Sequence, residues 1–137
     1  MAEKLTLKLV TPLKEVVVGE ADMVILPAHE GELGVMPGHD LYMTLLQIGA
    51  LKMVRDNVTK LFFVAHGYAE ISQDTVRVLA EVCEPVDEID LDRAIAAQKR
   101  AEERLAKSAS DTDIDVFRAQ AALRRSLTRQ AIRKGEV

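Results

Sequence analysis

The stretch EPVDEIDLDRAIAAQKR, from Glu84 to Arg100, separates two kinds of sequence. Before it, apolar side chains recur with a period of two, as a half-buried strand requires. After it they recur every three or four residues, as one face of a helix requires. Asp90 carries a short acceptor carboxylate suited to capping the first free amides of a helix. Asp92 adds negative charge where the helix dipole favours it. Ala94, Ala97, Ala101 and Leu105 continue at helical spacing, and Glu103 with Lys107 forms a favourable pair one turn apart.

Upstream, Leu5, Leu7 and Leu9 alternate with Lys4, Thr6 and Lys8. Further short β-type runs follow as EVVV, DMVILPA, YMTLLQI, ALKMVR, KLFFVAHG, YAEI and TVRVLAEV. Turn signals stand between them at Pro12, Gly19, HEGELG, PGHD, Gly49, RDNV, Gly67 and SQDT. Such spacing predicts an antiparallel β-sandwich or flattened barrel over residues 1–87. GELGVMPGHD is glycine-rich but does not lead from a strand into a helix, so a structural turn is expected there rather than a phosphate cradle.

Downstream, residues 88–137 predict two helices. The first ends near KSASDTD, and the second runs from about Ile114 to Arg133 with Val116, Ala119, Leu123 and Leu127 on one side. The short connection makes them an antiparallel hairpin. Alanine-rich faces bury little area, so at ~25 cal/mol per Å² the hairpin is loosely held.

The 137 residues include 48% hydrophobic and 29% charged side chains, a globular composition. No apolar run approaches the ~18 residues of a membrane span, and the amino terminus lacks a signal-peptide layout. The single Cys83 forms no internal disulfide, so a reducing compartment and a buried, inert thiol are expected. The net charge of −4 is uneven: 13 acids and 7 bases precede Glu88, against 9 acids and 11 bases from there on. Phe117 is the only aromatic in the basic part, which offers no stacking platform for nucleic acid.

Residues seven or eleven apart on a helix differ by ~20° in direction. Arg93, Arg100 and Arg104 therefore share one face of the first helix, and Arg118, Arg125 and Arg129 share one face of the second. Such stripes suit a solvated surface, a polyanionic ligand or an acidic partner protein; arginine's planar fork pairs with phosphate and carboxylate alike. His29, His39 and His66 are isolated from one another and stand at no metal-ligand spacing to Cys83. No phosphate-loop or nucleophile-elbow motif is present. The residues offer no catalytic nucleophile, base or metal site.

An opening strand ending in VTP, then GELGVMPGH, GYAEI before VRVLAE, and IDLDRA entering a helical hairpin occur in that order. On these features the chain resembles the epsilon subunits of bacterial F-type ATP synthases over its whole length. The resemblance implies a noncatalytic subunit of the rotor's central stalk, whose sandwich docks on the gamma subunit and the c-ring. It implies a ring-facing position for GELGVMPGH, with His39 as the candidate c-ring contact. It implies that the hairpin permits ATP hydrolysis when folded and blocks it when extended, meeting the alpha and beta subunits. The implied location is peripheral, on the cytoplasmic face of the membrane, with no direct insertion and no nucleic acid.

The family's ATP-binding motif, Ile or Leu followed by Asp-x-x-Arg-Ala, matches Ile89, Asp90, Arg93 and Ala94. Its additional positions fall on Glu84, Arg100, Arg118, Arg125 and Arg129. ATP would be a regulatory ligand here, with no obligatory cofactor. Asp90 can accept from the adenine amine while Ile89 and Ala94 offer apolar contact. The arginines would surround the triphosphate, each charge-assisted hydrogen bond contributing ~1.5–3 kcal/mol before ordering costs. The charges of Asp90 and Asp92 should hold the phosphates away from the helix start, between Arg93 and Arg100, ~10.5 Å apart at 1.5 Å per residue. An unrelated β-sandwich adaptor that binds an acidic partner through its helical arm is the alternative reading.

Overall fold

The computed structural model describes residues 3–137 as two compact units, one reaching Val86 and the other Asp87–Val137. The first consists of β1 (Leu5–Val10), β2 (Glu15–Ala21), β3 (Met23–Ala28), β4 (Gly31–Val35), β5 (Tyr42–Leu46), β6 (Gly49–Arg55), β7 (Val58–Ser72) and β8 (Thr75–Pro85). A short 3-10 turn (Val86–Glu88) spans the boundary, and the second unit holds the helices α1 (Leu91–Lys107) and α2 (Val116–Lys134).

β7 organises the sandwich. The sequence pattern divides it at Gly67, yet Val58–Ser72 is one strand of 15 residues. Its first half pairs with β6 from Arg55↔Val58 to Gly49↔Val64. Its second half pairs with β5 from Leu46↔Gly67 to Tyr42↔Ile71. On its other side β8 follows both halves without a change of register, from Phe62↔Pro85 to Ser72↔Thr75. β7 and β8 therefore bend together near Ala65–His66 and Glu81, level with the Gln47–Ile48 link between β5 and β6, and a single ladder passes from one layer of the sandwich into the other.

The bend has two local causes. His66 takes the left-handed conformation, φ 60°, which turns the strand and interrupts its alternation. Gly67 then lies against β8 so closely that a Cβ would meet the Leu79 carbonyl oxygen at 2.0 Å. Across the corner the Gln47 amide nitrogen donates to Pro27 O at 2.8 Å, and its side chain donates to Ala28 O at 3.1 Å. A sequence pattern cannot distinguish such a corner glycine from a turn glycine, because both are chosen for backbone freedom.

Two further expectations are corrected. The first half of GELGVMPGHD is strand β4, paired antiparallel with β3 from Ala28↔Gly31 to Val24↔Val35; only the part beyond Val35 turns. The sandwich is antiparallel except where β1 runs parallel to β8, from Thr6↔Thr75 to Val10↔Leu79. β1 thereby closes one layer beside β8, with β2 at its edge. The core follows the alternation: Leu5, Leu7, Leu9, Val24, Leu26, Leu51, Met53, Ile71, Val76 and Val78 are all buried.

The β2–β3 turn is held by Asp22, which accepts from the Asp56 amide nitrogen at 2.8 Å and pairs with Lys4. The Lys4 hydrogen bond and the Asp56 amide hold its carboxyl below the usual range, outweighing its partial burial. A depressed folded pKa means this contribution is present above the unfolded value and is lost as pH falls through the folded one. Asp22→Asn is expected to flatten the acid limb of a stability-versus-pH curve followed by thermal melting. Gly67→Ala is expected to cost at least ~3 kcal/mol, because backbone on a central strand must move; chemical denaturation measures it.

Candidate functional site

The second unit begins as its sequence reads. Asp90 caps α1 in extended conformation, its Oδ1 accepting from the Arg93 amide nitrogen at 3.1 Å. That leaves the second carboxylate oxygen for a ligand. Ile89 and Ala94, each 4% exposed, are buried side chains rather than open apolar surface. α1 ends at Ser108, whose hydroxyl donates to Leu105 O at 2.6 Å.

The second helix repeats this start. Asp115 caps α2 with nearly the same backbone angles, φ −79° and ψ 102° against φ −84° and ψ 105° at Asp90. Its Oδ1 accepts from the Arg118 amide nitrogen at 3.2 Å. The local sequence is IDVFRA, Ile114 to Ala119, a second copy of the pattern in IDLDRA. The likeness continues along the helices: Arg93 corresponds to Arg118, Arg100 to Arg125 and Arg104 to Arg129. The repeat lies in a constant offset between the two helices, so neither helix shows it alone. α2 starts at Val116 rather than Ile114 because Asp115 is the cap.

The seam is made of small residues at corresponding positions. Ala94 and Ala101 are buried on α1, and Ala119 and Ser126 on α2. The expected α2 face is corrected: Val116 and Leu127 are exposed, while Ser126 and Ile132 are buried. Ser126 is accommodated because its hydroxyl donates to Leu123 O at 2.7 Å within its own helix.

Each of four arginines directly precedes a seam residue: Arg93, Arg100, Arg118 and Arg125. One residue is ~100° of rotation, so each stripe flanks the seam in the same rotational sense. In antiparallel helices that puts both stripes on the same broad side of the hairpin. Gln130 Nε2 donates to Gln98 Oε1 at 2.7 Å and sets the register. At 1.5 Å per residue, Arg100, Arg104, Arg125 and Arg129 lie within ~10 Å along the axis from that pair. Arg93 stands ~7.5 Å in the other direction, and Arg118 ~18 Å away towards the turn. The hairpin thus brings Arg100, Arg125 and Arg129 together, keeps Arg93 within a side chain's reach, and sets Arg118 apart. Arg125 and Arg129 are half-buried; Arg93, Arg100 and Arg118 are exposed. Glu84 lies in β8 of the first unit, opposite Phe63.

On the sandwich, His39 is half-buried in the β4–β5 loop. Its Nδ1–H donates to Asp40 O at 2.8 Å, and its ring stands 6.2 Å from that of Tyr42. The neighbouring Gly38 amide nitrogen donates to Asp74 Oδ1 at 2.7 Å, tying this loop to the β7–β8 turn. Around it is an apolar surface: Leu41, Met43 and Leu45 are 81, 62 and 64% exposed, and Met36 is also exposed. A cleft of about 410 Å³ borders it, lined by residues that include His29, Glu30, Glu32 and Tyr42. Exposed apolar residues so concentrated mark an interaction surface. The signal in the sequence is YMTLLQI, which is apolar in both phases of the strand.

Among the described residues no three His, Cys, Asp or Glu side chains are grouped to hold a metal ion. Cys83 is half-buried, and burial, then the Glu84 charge, pushes its thiol up to about 12, which makes it inert at neutral pH. No helix among the described residues is long and apolar enough to cross a membrane.

A β-sandwich carrying an exposed apolar surface, joined to a capped helical hairpin, has the architecture of a docking chain. The chain belongs to the ATP synthase delta/epsilon chain family. Residues 4–86 match the family's beta-sandwich domain, and residues 87–132 match its long alpha-helix domain. The ATP synthase epsilon chain of Nitratidesulfovibrio vulgaris strain DP4 is 44% identical over 133 residues, covering 97% of this chain and 98% of that one. The epsilon chain of Geotalea uraniireducens is 44% identical over 138 residues, covering 98% and 100%. These relatives are noncatalytic subunits of the complex. In fold the chain is similar to one in the Euglena gracilis mitochondrial ATP synthase OSCP/F1/c-ring structure. That match has TM-score 0.80 at 19% identity and covers 93% of this chain and 80% of that one. A chain in the central stalk/c-ring structure from Tetrahymena thermophila aligns with TM-score 0.52 at 19% identity, covering 64% and 70%.

Proposed function

We propose that the chain is a central-stalk subunit of the proton-translocating synthase, with a hairpin that acts as an ATP-biased switch on hydrolysis. The sandwich docks on the gamma subunit and the c-ring. The apolar surface around Met43 supports a protein contact, and His39 is the c-ring contact candidate beside it. The location is peripheral, on the cytoplasmic face of the membrane. The hairpin inhibits when extended, where its basic helices meet the alpha and beta subunits.

The observation that carries the switch is the alignment of the two arginine stripes on one side of the folded hairpin, beside the IDLDRA helix start. A triphosphate seated there would lie along α1 from Arg93 towards Arg100, with Arg125 and Arg129 reaching it from α2. Asp90 would use its remaining carboxylate oxygen for the adenine amine. Since the arrangement exists only while the helices are paired, ATP would stabilise the folded hairpin through its greater affinity for that state.

Calorimetric titration with ATP tests the ligand. Arg100→Ala and Arg125→Ala are each expected to weaken binding at least ~10-fold, the equivalent of one charge-assisted hydrogen bond, and Arg118→Ala much less. Equal affinities for wild type, Arg100→Ala and Arg125→Ala would exclude the site. For docking, Met43→Asp is expected to reduce copurification with the gamma subunit while leaving ATP affinity unchanged, because it places a charge on the apolar surface of the other unit.

A further inference from the structure

Only one end of β5 is paired on both sides. The His29 amide nitrogen donates to Leu45 O at 2.9 Å and the Gln47 amide nitrogen to Pro27 O at 2.8 Å, so β3 meets β5 around Ala28↔Leu46 and nowhere else. In an antiparallel ladder a residue's N–H and C=O point to the same side, and successive residues alternate. The Leu45 carbonyl faces β3. Leu45 and Met43 therefore turn their backbone groups away from β7, while Tyr42, Thr44 and Leu46 turn theirs towards it. Beyond His29 the chain leaves for β4. The Gln47 side chain donates to the His29 carbonyl, the group that would otherwise receive the Leu45 N–H. Among the described residues, the Met43 N–H, the Met43 C=O and the Leu45 N–H thus have no partner in the sheet.

Open edges are normally guarded. The edge strand β2 carries Glu15 and Glu20, and its pairing with β1 is bulged between Leu7 and Lys8. β5 reads Tyr-Met-Thr-Leu-Leu, with no charge, proline or bulge. Its unpaired side opens on the cleft of about 410 Å³, whose other wall is the β3–β4 turn. Glu30 and Glu32 stand on that wall. Glu32 pairs with Lys52 at 3.8 Å, whereas Glu30 forms no ion pair among the described residues.

We propose that the open edge of β5 receives an extended segment of a partner chain as an added strand, with a basic side chain of that segment reaching Glu30. The occupant continues the sheet where β3 leaves it, pairing with Met43 and Leu45 at the ordinary strand spacing of ~4.8 Å. The unpaired backbone groups select an extended conformation, and the acid on the cleft wall selects a base. A second copy pairing edge to edge does not meet the second requirement, because Tyr42–Leu46 carries no cation. Strand addition rests on the docking reading above and adds backbone pairing to it.

Calorimetric binding of the purified gamma subunit to the full chain tests it. Met43→Ala removes the side chain and keeps the N–H; Met43→Pro removes the N–H as well. Because that N–H makes no bond within the sandwich, Met43→Pro is expected to melt close to wild type. It should bind the gamma subunit about 2- to 12-fold more weakly than Met43→Ala, the range of one net hydrogen bond. Glu30→Gln is expected to weaken binding about 1.5- to 5-fold, and less so at high salt. Residue-resolved amide exchange is the second measurement and needs no variant. In the free chain Met43 and Leu45 should exchange faster than Tyr42, Thr44 and Leu46, and in the complex they should slow at least ~10-fold. Equal binding by Met43→Pro and Met43→Ala, or unslowed exchange at Met43 and Leu45, would overturn strand addition. So would dimerisation of the free chain that Met43→Pro abolishes. If Met43→Asp still weakens binding in that case, docking on the apolar surface stands without an added strand; if no β5 variant changes binding, both fall.

Discussion

The contact between Gly67 and the Leu79 carbonyl is the constraint from which the first unit follows. Two central strands can pass from one layer to the other in register only if their backbones approach at the corner, and a side chain at Gly67 prevents that approach. With the corner made, β7 serves β6 in one layer and β5 in the other. β3 then meets β5 only at Ala28↔Leu46, so most of β5 has a partner on one side alone. The exposed Met43 and Leu45 lie on this part of β5. The feature that closes the core thus also displays the exposed apolar surface.

The hairpin is built on a different principle. Its two starts are capped by equivalent aspartates, its seam is lined by equivalent small residues, and its arginines occupy equivalent flanks. A repeated helix paired antiparallel with its own copy puts corresponding residues on the same broad side. The two stripes need no separate explanation once the repeat is recognised. Small seam residues let the helices approach but bury little apolar area. The arrangement suits an element whose folded state is favoured by a modest margin.

Much of this is legible in the residues. The change of period at Glu84–Arg100, the cap at Asp90, the end of α1 at the serines and the flanking arginines all depend on neighbours within a turn or two. The β4 strand, the continuity of β7 and the parallel β1–β8 pair were not legible, because each depends on a distant strand supplying hydrogen bonds. The exposure of Leu127 and burial of Ser126 belong with them. Hydrophobicity favours the opposite arrangement, but close helix approach selects the smaller side chain, and an internal hydrogen bond offsets the buried hydroxyl.

Local sequence therefore determined the two-part architecture, the helix starts and the residue types available to an anion, since periodicity, capping and charge act over a few residues. Tertiary structure decided which of those residues meet. The Gln98–Gln130 register groups Arg100, Arg125 and Arg129 and leaves Arg118 near the turn, although the motif alone treats all four alike. That choice belongs to the pairing of two helices, because the level at which a residue faces its neighbour is a property of the pair.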